Sequence, residues 1–240
     1  MTNIRKEILD MAMKTKDFHI ASSFSCIDIL TVLYDKILTK YDKFILSKGH
    51  ACLSLYVVLI RKGLKPDIYK QHPDIDVNNG IECTTGSLGH GLPIAIGMAL
   101  AKKIKREPGN IYIVMSDGEF QEGTTWESLL IASHHKLNNL IIILDNNQMQ
   151  SLGKINDILS LGNIKKIIQS FNIDYFEIDG HDARIIRDVF LCKSNMPIFI
   201  NAHTIKGKGI SFIENKPEWH ARLLTEEEYK IACVELLENG

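Results

Sequence analysis

Two stretches decide the fold: IYIVMSDGEFQEG (residues 111–123) and LIIILDNNQMQSLG (residues 140–153). Each opens on a short apolar run and closes on a polar cluster, Ser116-Asp117-Gly118 in the first and Asp145-Asn146-Asn147 in the second. Such runs, bounded by turn residues, read as strands buried on both faces of a sheet. The residues between them, 126–135, have the pattern of a helix, and Asn138-Asn139 marks its end. Strand, helix and strand in succession form the crossover unit of a parallel sheet. Ligands of open α/β sheets sit beyond the carboxyl ends of strands, which is where both clusters fall.

Working outward, the same alternation continues. Upstream, the pattern predicts a helix over 3–17, a polar break over 19–23, a second helix from Ile27 with Asp28 in its first turn, a strand over 43–47 and a helix over 51–62. Gly63 and Pro66 end that helix, and residues 66–85 form a long irregular connection of the kind that often carries function. TTGSLGHGLPIAIGMALAKK (84–103) follows, with Pro93 in the first turn of a helix reaching about residue 105. Downstream come a helix over 163–170, a strand over 175–178, a helix over 183–193 and a strand over 197–203. A final helix opens at Thr225, with Glu228 completing a capping box. The expected fold is α/β: a single domain over 1–240 with a mostly parallel, doubly wound sheet and helices on both faces. No repeat or linker divides it.

Composition narrows the function classes. The 240 residues are 45% hydrophobic and 24% charged, with a net charge of −1, which is ordinary for a globular chain and gives no electrostatic case for nucleic acid or an anionic membrane. No apolar run reaches the length of about 18 residues that a membrane span needs. The five cysteines are scattered, without CxxC spacing, so neither zinc nor a disulfide framework is indicated and a reducing cytoplasm is expected.

Asp117 and Asn147 lie thirty positions apart and offer one carboxylate and one amide oxygen. Magnesium takes near-octahedral oxygen ligands, a few from protein and the rest from water and phosphate. Met149 adds a main-chain carbonyl if the chain turns back there. Gly118 lets a main-chain N–H approach a phosphate oxygen. Taken singly, each cluster also reads as a plain turn or strand end; the pair, each after an apolar strand, points to a cation and diphosphate site.

The spacing resembles the thiamine-diphosphate motif, in which Gly-Asp-Gly precedes a pair ending in Asn by about thirty residues; Ser116 replaces the first Gly. The likeness extends along the chain. FHIASSFSCIDILTVLY (18–34), ILSKGHACLSLY (45–56), HPDIDVNNGIECTTGSLGHGLPIAIGMALA (72–101) and TIKGKGISFIENKPEWHA (204–221) resemble, in the same order, blocks of the transketolase family. The resemblance implies the thiamin diphosphate-binding fold, a domain of the diphosphate-binding (PP) type. It implies catalytic, substrate-contacting roles for His19, His72 and His220. Cofactor contacts fall on His50, Gly86, Ser87, Leu88, Asp117, Gly118, Glu119, Asn147 and His220. The implied metal ligands are Asp117, Asn147 and Met149, holding Mg2+, or Ca2+ or Mn2+ in its place. Ala21, His90 and Ala221 depart from residues common in relatives. The other histidines have plainer readings, His134 and His135 at a helix end and His181 in a cap or turn; His203, which follows a strand, is left open.

Activating thiamine diphosphate takes, in this family, a glutamate from a separate pyrimidine-binding domain. No second α/β half follows Gly240, and Glu82, Glu119 and Glu122 lie on the diphosphate side. The resemblance therefore implies the N-terminal subunit of a split transketolase, active only with a C-terminal subunit that supplies the glutamate, in an α2β2 assembly. The expected reaction moves a two-carbon ketol unit from a ketose to an aldose, as sugars or sugar phosphates, in central or specialised sugar pathways. Two alternatives stay open: a 2-oxo-acid dehydrogenase α-type chain, and a non-catalytic cofactor-binding scaffold.

Overall fold

The apolar runs pair with one another side by side. The computed structural model describes residues 4–238. Its strands are β1 (Lys43–Leu46), β2 (Ile111–Ser116), β3 (Leu140–Asn146), the hairpin β4 (Met149–Gln150) and β5 (Gly153–Lys154), β6 (Asp174–Asp179) and β7 (Ile198–His203). Five of them form one sheet in the order β1-β2-β3-β7-β6, with every neighbouring pair parallel. The helices are α1 (Ile4–Thr15), α2 (Ile20–Val32), α3 (Cys52–Arg61), α4 (Gly91–Lys105), α5 (Gly123–His134), α6 (Ile155–Ile158), α7 (Ile164–Ser170), α8 (Ala183–Phe190) and α9 (Glu226–Glu238).

Register explains why β1, β2, β3 and β7 are largely apolar, while the edge strand β6 is not. Ile45, Ile113, Ile142 and Phe199 form one row across four strands, and Leu46, Val114, Ile143 and Ile200 form the next. Successive side chains point to opposite faces. The first row packs with α4, α5 and α7, the second with α1, α2, α3, α8 and α9. A sheet covered on both faces has no place for the alternation of a half-exposed strand.

The expected polar break over 19–23 is instead the start of α2, so Asp28 lies in the body of that helix. Phe24, Ile27 and Leu30 are fully buried, worth roughly 1.5–3 kcal/mol each. The helix penalty of Ser is only a few tenths of that. Ser22, Ser23 and Ser25 are buried too, and two of them serve polar groups beneath the sheet's carboxyl edge. The hairpin β4–β5 and α6 fall where the sequence pattern gives only a loop, and further differences are at element ends: α5 begins at Gly123, and α8 stops at Phe190. Asn3, the first residue of the expected N-terminal helix, lies outside the described residues. The capping box forms as expected, Thr225 N–H donating to Glu228 at 3.0 Å and Glu228 N–H to Thr225 Oγ1 at 3.2 Å.

The connection between α3 and α4 is irregular but tied down. Thr85 N–H donates to the Pro73 carbonyl at 3.0 Å, Ile75 N–H to Thr84 Oγ1 at 3.0 Å, and Asp76 bridges Ile81. These ties fold residues 72–86 back over the carboxyl end of β1.

Candidate active site

Four histidines, far apart in sequence, meet at that end of the sheet. His19 caps the N-terminus of α2, His50 follows β1, His72 comes from the tied connection and His220 from the segment before α9. The ring of His19 is the hub: its centroid lies 5.7 Å from that of His50, 5.8 Å from that of His72 and 5.8 Å from that of His220. His50 and His220 are 5.4 Å apart. Burial, and next to it the charge of Lys48, pushes His50 well below the ordinary imidazole value. Burial, then the charge of Lys206, pushes His220 down to about 3. Burial and His19 lower His72 as well. These three rings are therefore neutral at pH 7, able to accept or donate a proton through either nitrogen.

Asp117 stands next to this cluster at the end of β2, 1% exposed. Its Oδ1 accepts from Gly118 N–H at 2.9 Å, while its Oδ2 is buried and has no hydrogen-bond partner. Burial, and then the charge of Asp145, pushes its pKa up to about 7; the N–H groups of Gly118 and Gln148 oppose the shift. The Gln148 interaction places Asp117 against the turn that holds Asn147 and Met149. Gln148 adopts φ +61°, so the chain does reverse between those two residues, and Asn147 Oδ1 accepts from Met149 N–H at 3.1 Å. Both Asn147 and Met149 are buried. Among the described residues no three His, Cys, Asp or Glu side chains converge to bind a metal. A cation here would thus take Asp117, amide and main-chain oxygens, and oxygens of a ligand.

The remaining candidates form the wall. Gly86, with φ +142°, approaches His72 so closely that a Cβ would stand 3.0 Å from that ring. Ser87 is exposed and its Oγ lies 3.2 Å from His90 Nδ1, which is also 3.1 Å from the Leu88 carbonyl oxygen. Glu119, expected to touch the cofactor, is instead fully enclosed. Its carboxylate accepts from Ser47 Oγ, from Gly89 N–H at 2.8 Å and from Ser116 N–H at 3.3 Å. It holds the glycine loop to the ends of β1 and β2 and has no face left for a ligand. The same packing makes Gly91 indispensable, because a Cβ there would lie 2.6 Å from Ser47 Cβ. Gly91→Ala is expected to cost about 1–3 kcal/mol in urea unfolding; an unchanged midpoint would show that the loop adapts.

Sequence reasoning missed two lysines. Lys48 is 1% exposed and forms a buried ion pair with Asp145, also donating to the Ser22 carbonyl at 3.0 Å and Ser25 Oγ at 3.2 Å. Burial works against its ammonium, but Asp145 overcomes that and holds the pKa above the usual lysine value. Lys206 is 2% exposed, with Nζ 2.8 Å from His220 Nδ1. Burial, and then repulsion from Lys48, lowers it to about 8. Among the described residues no carboxylate forms an ion pair with Lys206, so it is a buried cation waiting for an anion. TIKGKG marks a strand end followed by glycines but carries no sign that its first lysine is buried. His203 pairs with Glu177 on the surface, and the ring of His181 reaches beyond its turn to bridge Asp28 and Ile205 N–H.

The site fits a diphosphate held through a cation: Asp117 has an unpaired buried carboxylate oxygen, and the buried Lys206 ammonium lies near enough to feel its charge. Known proteins point the same way. The family profile for the transketolase thiamine diphosphate binding domain matches residues 1–236. An apulose-4-phosphate transketolase subunit of Phocaeicola vulgatus is 35% identical over 98% of this chain and 92% of its own length. A 6-deoxy-6-sulfo-D-fructose transketolase subunit of Clostridium sp. is 35% identical over 99% of this chain and 94% of its own. The crystal structure of transketolase from Campylobacter jejuni superposes with a TM-score of 0.86 at 28% identity, covering 98% of this chain but 41% of that one. This chain thus spans about two fifths of the solved transketolase and nearly all of each single-subunit relative. The chain belongs to the transketolase family, as a thiamine-diphosphate-binding domain.

Proposed function

We propose that this chain is the diphosphate-binding subunit of a two-chain transketolase, transferring a two-carbon ketol unit from a ketose to an aldose. The observation that carries the proposal is the convergence of four histidines beside an unpaired buried aspartate oxygen. Asp117, Asn147 and the Met149 carbonyl would hold Mg2+. Gly118 N–H, His50, His220 and Lys206 would hold the diphosphate, and Gly86, Ser87 and Leu88 would line the aminopyrimidine. Bound there, thiamine diphosphate supplies the carbon nucleophile for ketol transfer. The chain's own part is to move protons and orient hydroxyls. His19, His72 and His220 surround one space, and neutral imidazoles can take a proton from a sugar hydroxyl and return it. Decarboxylation of a 2-oxo acid has no use for such a ring of hydroxyl-binding groups, which favours sugar substrates.

The C-terminal partner would supply the activating glutamate and the other half of the pocket, in an α2β2 assembly. The named relatives are subunits of enzymes for apulose-4-phosphate and for a sulfo-sugar, which supports a specialised ketose as donor. Among the described residues no helix is long and apolar enough to cross a membrane, and all five cysteines are free, which supports a cytoplasmic setting.

Co-expression with a C-terminal transketolase subunit, followed by assay with Mg2+, thiamine diphosphate and a panel of ketoses, tests the proposal. Ketol transfer is expected only when both chains are present. Full turnover by this chain alone would refute the two-chain site, and CO2 release from pyruvate without ketol transfer would refute the reaction.

A further inference from the structure

We propose that Asp17 is a positioning residue that fixes the orientation and tautomer of His19, holding the proton on Nδ1 and leaving the Nε2 lone pair to the cavity shared with His50, His72 and His220. The inference rests on the reading of His19 as a catalytic group. Asp17 lies in the turn between α1 and α2, and its Oδ1 accepts from His19 N–H at 2.9 Å. Two other turns of this chain use the same bond, from Tyr69 N–H to Asp67 at 3.1 Å and from His181 N–H to Asp179 at 2.8 Å. In both of these the aspartate is exposed, whereas Asp17 is 2% exposed. The turn alone therefore does not call for burial.

A buried carboxylate is costly unless it is paired. Among the described residues no Lys or Arg forms an ion pair with Asp17. Its Oδ2 lies 3.4 Å from the Cys52 Sγ on α3, and its Oδ1 lies 3.6 Å from His19 Nδ1. That ring nitrogen is itself buried and without a hydrogen-bond partner. The unpartnered ring nitrogen and the carboxylate, which has no cation, face each other at a distance just beyond hydrogen-bond range, the kind of gap that closes when a substrate tightens a site.

Chemistry then dictates the tautomer. If Nδ1 carried the lone pair, two acceptors would oppose each other in a dry pocket. With the proton on Nδ1, a donor faces a carboxylate, and Nε2 becomes the acceptor on the cavity side. A proton passing from a substrate hydroxyl to Nε2 would make an imidazolium, which the carboxylate of Asp17 stabilises until the proton is returned.

Long-range 1H–15N correlation spectra of the full-length chain with 15N-labelled histidine read the tautomer directly, the His19 signals being identified by their loss in His19→Gln. The wild-type chain is expected to show Nδ1–H as the major form. Asp17→Ala is expected to shift the tautomer ratio towards Nε2–H by about tenfold or more, the worth of a charged hydrogen bond. Asp17→Asn keeps the turn acceptor but not the charge, so it should fold even if the Ala variant does not, and give a smaller shift of the same sign. Unchanged His181 and His203 signals control for folding. A majority of Nε2–H in the wild type, or a ratio unmoved in the variants, would overturn the proposal. In the two-chain enzyme, Asp17→Asn is expected to lower kcat by about 10- to 100-fold with little change in donor KM; an unchanged kcat would overturn it too. Absence of ketol transfer by the wild-type complex would instead count against the proposed reaction, and the spectra would still judge Asp17.

Discussion

Asp117→Asn is expected to weaken Mg2+-dependent binding of thiamine diphosphate to the two-chain complex by about a hundredfold or more. Asp117 Oδ2 is buried and unpaired, so the oxygen is set in place before any ligand arrives. Removing one member of a buried charge pair costs about 3–5 kcal/mol, and each 1.4 kcal/mol is a factor of ten. Isothermal titration with cofactor at saturating Mg2+ measures the loss; an unchanged affinity would remove Asp117 from the metal site. The same residue predicts a pH effect in the chain without cation. Its folded pKa, about 7, exceeds the ordinary 3.8, so between these values the folded state holds a proton that the unfolded state has released. This group's contribution to stability is then present below about pH 4 and is lost as the pH rises towards 7. Urea unfolding should show a weaker decline over that window in Asp117→Asn than in the wild type. Added Mg2+ and cofactor, which need the ionised carboxylate, should bind less well as the pH falls below 7.

Lys48→Met is expected to destabilise the chain by about 3–5 kcal/mol, the cost of leaving a buried carboxylate without its cation. Asp145 is fully buried, and besides Lys48 its side chain accepts, among the described residues, only from hydroxyl groups, Ser25 Oγ at 2.6 Å and Thr204 Oγ1. Those bonds join α2, β1, β3 and the segment after β7. Their loss should therefore loosen the floor under His50 as well as lower the unfolding midpoint. The double variant Lys48→Met/Asp145→Leu should recover much of the stability, because an apolar pair of similar volume has no charge to desolvate. A Lys48→Met midpoint within error of the wild type would mean that Asp145 takes up a proton at little cost.

The cluster of Asp117, Asn147 and Met149 is legible because it is local: these residues are fixed by where two strands end, and strand ends show in the apolar pattern. The helix over 19–23 was not legible, because Ser22 and Ser25 look like loop residues until the buried Lys48–Asp145 pair they serve is seen. The enclosure of Glu119 is hidden for a related reason: nothing in Asp117-Gly118-Glu119 shows that its carboxylate turns inward to Gly89 N–H and Ser116 N–H. Lys206 was passed over because nothing in TIKGKG tells a buried cation from an exposed one.

Sequence by itself determined the alternation of strands and helices, the two polar clusters at strand ends and the family blocks that carry His19, His50, His72 and His220. Periodicity and turn chemistry act over a few residues, so they can be read in order along the chain. Only the tertiary structure decided that these four rings meet around one space, that Asp117 keeps an unpaired oxygen there, and that Asp17 and Lys206 lie buried against His19 and His220. Those facts depend on contacts between segments up to two hundred residues apart. Burial, which turns a common aspartate or lysine into a directed charge, is a property of the packed sheet and its helices and of no single stretch of the chain.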